Sequence, residues 1–134
     1  MPTLKKSNSP TTFCFADGSY VEKLFARDVR LDIVSASTPT LRVDLSHYSK
    51  RRRNDPEGTD FVLLEQNISQ ITHFRLRDAT VAKAFQNSTD RHGNVVPGYA
   101  PPGTVEICLG QSTSRTMAVV KASFDHREVV LELH

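Results

Sequence analysis

No stretch of this sequence approaches the roughly 18 consecutive apolar residues that a membrane-crossing helix needs. The opening MPTLKKSNSP also lacks the apolar centre of a secretory leader, so the chain reads as soluble and unsecreted. Cysteine is scarce. Cys14 and Cys108 stand far apart, with no CxxC and no histidine at ligand spacing beside either, which excludes a structural zinc site. Each lies in an apolar, strand-like segment (TTFCF and VEICL), where a buried reduced thiol is the plain expectation and an intersubunit disulfide the sharper one. An excess of one charge is missing too. Seventeen Lys and Arg against fifteen Asp and Glu leave a net +2, so any basic footprint must be local.

Catalytic signatures are equally absent: there is no HExxH, no GxSxG and no phosphate-cradling glycine loop. His47, His73, His92, His126 and His134 have no partner at a recognised spacing. Asp44 with His47, or Asp125 with His126, assemble into a triad only on paper, as they would in any chain with this many Ser, His and Asp. The expectation is a non-enzyme without cofactor or metal. The sequons at Asn67-Ile68-Ser69 and Asn87-Ser88-Thr89 read as chance matches without a leader.

What is present is 134 residues, 38% hydrophobic and 24% charged, enough for one domain with a thin core. Residues 1–10, polar with Lys5, Lys6 and two prolines, read as a flexible arm. Residues 11–15 and 19–25 around Asp17-Gly18 form a hairpin signal, and Val29, Leu31 and Ile33 mark a further strand. The cleanest alternation is in residues 40–47, with Leu41, Val43 and Leu45 on one face and Arg42, Asp44 and Ser46 on the other. SKRRRNDPEGT follows as a turn. DFVLLEQ (residues 60–66) then reads as a buried strand. Residues 69–86 suggest a strand and a short uncertain element, residues 87–103 an extended Pro/Gly loop, and residues 104–109 another strand. The tail is ambiguous. Ser112 to Ser114 can cap a helix carrying Met117, Val120 and Phe124, or TMAVVKASF and REVVLEL can form a hairpin about Asp125-His126.

The basic residues form the most informative constellation. Arg42 and Ser46 share one strand face, His73, Arg75 and Arg77 share another, and Lys50, Arg51, Arg52 and Arg53 extend the first strand's end. On one sheet these would present guanidiniums and hydroxyls to phosphates, while Leu41, Val43, Leu45, Phe74 and Leu76 pack inward. A solvated face is the plainer reading of the same residues.

The order of elements resembles the coat proteins of single-stranded RNA bacteriophages, through TTFCFADGSYVEKL as hairpin, PTLRVDLSHYS and DFVLLEQNIS as central strands, and GTVEICLGQSTSRTMAVVKASF as a final strand entering a helix. The resemblance implies an α+β fold. An N-terminal hairpin and an antiparallel sheet of about five strands (residues 11–110) would precede two short C-terminal helices (residues 111–134) that clasp the second subunit of an intertwined homodimer. It further implies a virion capsid protein, assembled in the host cytoplasm into a T=3 icosahedral shell, that packages single-stranded RNA and represses translation through an RNA hairpin. Arg42, Ser46, Lys50, Arg51, Arg52, Arg53, His73, Arg75 and Arg77 would face RNA. Arg91, Gly93, Pro97, Gly98, Tyr99, Pro101 and Pro102 would form the inter-dimer loop. No membrane partner is implied.

The alternative is an all-β barrel or sandwich. A weaker likeness to PilZ domains rests on Arg51 to Arg53 followed by Asn67-Ile68-Ser69, an arrangement suited to a cyclic dinucleotide's phosphates, although Thr72 replaces the expected glycine. A non-catalytic adaptor domain without a ligand is the third reading.

Overall fold

The computed structural model describes residues 3–33, 39–50, 56–110 and 114–134. Strand β1 (Thr3–Phe15) turns into β2 (Tyr20–Ile33) at Asp17-Gly18. Asp17 accepts the Ser19 amide at 2.8 Å and Gly18 takes φ +90, the left-handed conformation that glycine adopts without a steric penalty. Two expectations change here. The first residues belong to β1 from Thr3 onward instead of forming a free arm, and the two strands expected on either side of residues 26–28 are one long β2. The ladder explains the second point. Thr11 pairs with Leu24 and Thr12 with Glu22, which leaves Lys23 as an inserted residue at φ +66. A bulge of this kind shifts which residues point inward without ending the strand.

Strand β3 (Pro39–Asp44) keeps its alternation, with Leu41, Val43 and Leu45 fully buried. A 3-10 turn over Ser46–Lys50 follows. It plants Tyr48 inside, where the ring stacks near Phe61 at 6.2 Å and the hydroxyl accepts the Phe25 amide. DFVLLEQ is not a strand. It lies in helix α1 (Pro56–Gln66), where Phe61 and Leu64 are buried while Leu63 is exposed. A strand would have put Leu63 on the same face as Phe61, whereas spacing of three places Leu64 there. Proline in the first helical turn lacks only an N–H that would have had no partner.

Strand β4 (Ile71–Arg77) leads into α2 (Ala79–Ala84). A small separate hairpin follows, β5 (Ser88–Thr89) with β6 (Val95–Val96), inside the segment expected to be only loop. Strands β7 (Thr104–Cys108), β8 (Ser114–Phe124) and β9 (Glu128–Leu133) complete the chain.

Seven of these strands close a barrel in the order β1-β2-β3-β7-β8-β9-β4, with β4 returning to β1. All the pairings are antiparallel except β3 with β7. This overturns the α+β expectation in favour of the all-β alternative. Of the residues expected to form clasping helices, those from 114 to 133 form a β-hairpin while 111–113 lie outside the described residues, and β9 is the strand that joins β8 to β4. Period two decides the tail: Val129, Leu131 and Leu133 are buried while Glu132 is exposed, and the β-branched valines suit a pleated surface. Such closure also removes most of the open edge that a two-subunit sheet would require.

The barrel interior is filled by side chains, among them Phe13 against Phe74 with ring centroids 5.2 Å apart. Any ligand must therefore meet an outer wall or an end. No helix among the described residues is long and apolar enough to cross a membrane.

Candidate functional site

One end of the barrel is covered by α2, which packs on β1 and β9. Asp78 caps it, its carboxylate accepting the amides of Thr80 at 2.9 Å and Val81 at 3.0 Å. Val81 and Ala82 are buried beneath the helix, and Phe85 just beyond it stacks on Phe124 of β8 at 4.6 Å. With its inner face so fixed, α2 turns Ala79, Thr80 and Lys83 outward.

The chain after β6 returns across this helix as a strap. The Tyr99 amide donates to the Ala84 carbonyl at 2.9 Å, the Gly98 amide to the Asn87 side chain at 3.2 Å, and the Tyr99 ring meets Phe85 edge-on. Between strap and helix lies a cleft of 520 Å³ lined by Ala79, Thr80, Lys83, Ala84, Gln86, Ser88, Pro97 and Gly98. A second cleft, of 430 Å³, is lined by Arg77, Ala79, Asp125, Arg127 and Glu128. Ala79 is common to both. Gln86 also ties them together, donating to the Asp125 carbonyl at 2.8 Å.

The smaller cleft balances Arg77 and Arg127 against Asp125 and Glu128, and the larger one carries Lys83 as the charged residue of its lining. Glu128 accepts from Arg75 at 2.8 Å and lies 3.5 Å from Arg77, so its charge is already neutralised. The Asp125 carboxylate accepts the amides of Arg127 and Glu128, each at 2.7 Å, and the Arg127 amide is the main reason its carboxyl lies below the ordinary value. Lys83 and Arg127 are exposed and make no ion pair with the described residues. Arg127 acts electrostatically on the Asp125 carboxylate, so of the three cations at the two clefts Lys83 is the one without an acidic partner among the described residues.

The expected RNA face is divided. His73, Arg75 and Arg77 do share the outer side of β4, with Phe74 and Leu76 buried behind them. Arg42 and Ser46 belong to β3 and the turn after it, which β1 and β2 separate from β4 on one side and β7, β8 and β9 on the other. Arg42 faces Glu106 across the parallel pair and bonds to it at 2.7 Å, while Ser46 donates to Asp44. Lys50 ends the 3-10 turn. Arg51, Arg52 and Arg53 lie outside the described residues.

The expected inter-dimer loop is likewise reassigned. Arg91 and Gly93 sit at the tip of the β5–β6 hairpin, where Asp90 accepts the His92 and Asn94 amides and Gly93 takes φ +82. Pro97 and Gly98 line the larger cleft, Tyr99 anchors on Phe85, Pro101 is exposed and Pro102 is buried. In the PilZ-like motif the Asn67 side chain donates to the Leu63 carbonyl at 2.8 Å and so closes α1. In the two paper triads, Asp44 and Asp125 both serve as acceptors for turn amides. Among the described residues, no group of three His, Cys, Asp or Glu is placed to hold a metal ion.

Lys83 and Gln86, at the end of α2, and Arg127, in the turn before β9, are residues that sequence reasoning did not single out. The only signal each carried was its position beside a cap or turn. No protein-family model, curated protein or solved structure matches this chain, so geometry and charge carry the reading of the site.

Proposed function

We propose that this chain is a small, non-catalytic β-barrel binding module whose ligand is a phosphate-bearing molecule of nucleotide size. The observation that carries the reading is the pair of clefts that share Ala79, with the exposed cations Lys83 and Arg127 on their rims. Each volume falls within the range of small-molecule sites. The carboxylates close by are held by arginines or turn amides, so an incoming anion meets cations without displacing a strong internal partner. Arg77, 3.5 Å from Glu128 with its side chain 70% exposed, can turn toward a phosphate. The filled barrel supports binding over its end, and the site lies away from the Arg51 to Arg53 and Asn67 to Ser69 positions of the PilZ-like pattern.

Calorimetric titration of the full chain with nucleoside triphosphates, a cyclic dinucleotide and a single-stranded RNA oligonucleotide tests this. Saturable nucleotide binding is expected, weakened about tenfold by Lys83→Ala combined with Arg127→Ala. RNA binding without nucleotide binding, especially with shell-sized material in size-exclusion chromatography, would return the function to a coat protein. Binding of neither ligand leaves an adaptor domain and overturns the proposal.

A further inference from the structure

Gln86 lines the larger cleft and is tied to Asp125 of the smaller one. Its main-chain amide donates to the Lys83 carbonyl at 3.1 Å as α2 ends, and its side-chain Nε2 donates to the Asp125 carbonyl at 2.8 Å. The acceptor is itself held. The Asp125 amide donates to the Glu128 carbonyl at 3.1 Å, and the Asp125 carboxylate takes the amides of Arg127 and Glu128.

This tie fixes which way the side-chain amide faces. A carbonyl only accepts, so the group that meets Asp125 must be the amino end of Gln86, and turning the amide over would set two acceptors against each other. Oε1 is therefore the end left over. Among the described residues nothing donates to it.

The rest of the lining makes that oxygen selective. Thr80 and Ser88 carry hydroxyls that both donate and accept, and Lys83 only donates. Gln86, with its amino group already engaged, is the lining side chain that accepts without a proton to offer in return. The facing walls are small: Ala79 and Ala84 on the helix, Pro97 and Gly98 on the strap. Such walls leave room for a flat ring.

We propose, resting on the reading of the clefts as a nucleotide site, that the larger cleft takes the base and that Gln86 sets its specificity, Oε1 accepting an N–H from the base edge. Phosphate is turned away from this oxygen, since both are acceptors, and goes to the cations on the rims. A base that carries an N–H on its edge matches Oε1. A base with only ring nitrogens there sets acceptor against acceptor and removes water from both. Because the Asp125 tie orients the amide before any ligand arrives, little ordering of this side chain remains to be done on binding.

The test is calorimetric titration of the full chain with ATP, GTP and purine riboside triphosphate, whose base keeps the purine ring but has no N–H on that edge. ATP or GTP is expected to bind about tenfold more tightly than the analogue. Gln86→Met, similar in length but without the oxygen, should bring that ratio close to one, whereas loss of a merely structural tie would lower all three affinities together. A ratio that persists in the variant overturns the inference. Equal affinities for all three in the unsubstituted chain overturn it without reliance on any variant and leave the phosphate-binding reading standing. Binding of none of the three overturns that reading, and this inference with it.

Discussion

Gly98 lies so close to Gln86 that a Cβ on the glycine would meet the Gln86 main-chain oxygen at 2.6 Å, with the Phe85 carbonyl carbon equally near. The strap therefore approaches the end of α2 backbone to backbone, and this contact forms one wall of the larger cleft. Gly98→Ala is expected to push the strap outward, lowering stability by about 1–3 kcal/mol and weakening nucleotide binding. Gly93→Ala is the comparison: nothing lies within 4 Å of its added Cβ, so its cost of about 1–2 kcal/mol comes from the left-handed φ of +82 alone and ligand affinity is unchanged. Chemical denaturation of both alanine variants, with ligand titration, checks the contrast. Equal ligand affinity in the Gly98 variant would remove the strap from the site.

Tyr48 tests how the opposite side of the fold is held. Its hydroxyl accepts the Phe25 amide while the ring is almost completely buried. Tyr48→Phe keeps the packing and leaves that amide without its acceptor, so a loss of about 1–3 kcal/mol is expected. Urea midpoints at constant slope would read it directly. A loss below experimental scatter would mean that water replaces the hydroxyl.

Lys23 holds a left-handed backbone at φ +66, which costs a side-chain-bearing residue about 1–2 kcal/mol. Lys23→Gly should therefore stabilise the barrel by up to about 1 kcal/mol, since glycine's greater freedom in the unfolded chain offsets part of the gain. Lys23→Val should destabilise it. Thermal denaturation of the pair gives the order, and a valine variant as stable as the glycine one would contradict the bulge.

Acid should loosen the β8–β9 turn. The folded pKa of Asp125 lies below its ordinary value of 3.8, chiefly through the Arg127 amide. A depressed carboxyl adds stability that is fully present above the unfolded value and is lost as pH falls below 3.8 through the folded value. Asp125→Ala should thus be less stable than the unsubstituted protein at neutral pH, with the gap closing in stronger acid. A pH-independent gap would assign the loss to something other than the carboxylate.

The sequence by itself determined the faces of the strands. Leu41, Val43 and Leu45, and likewise Phe74 and Leu76, are buried as their alternation requires, because side chains on a pleated strand point to opposite sides in turn. Asp17-Gly18 set the first hairpin for an equally local reason. What the sequence left open were segments whose apolar pattern fits two periods. The run FVLL serves a helix or a strand, and only contact with β2 and the Ser46–Lys50 turn selects the helix that buries Phe61 and Leu64. The tail became a hairpin because β9 completes hydrogen bonding between β8 and β4, a gain that local propensity does not contain. Tertiary structure alone decided the site as well. It placed Arg42 on a wall away from Arg75 and Arg77, and it brought Arg127 of the β8–β9 turn beside α2, where Lys83 and Gln86 lie close to Ala79. Barrel closure sets which strands are neighbours, and a strand carries no mark of its neighbour in its own sequence.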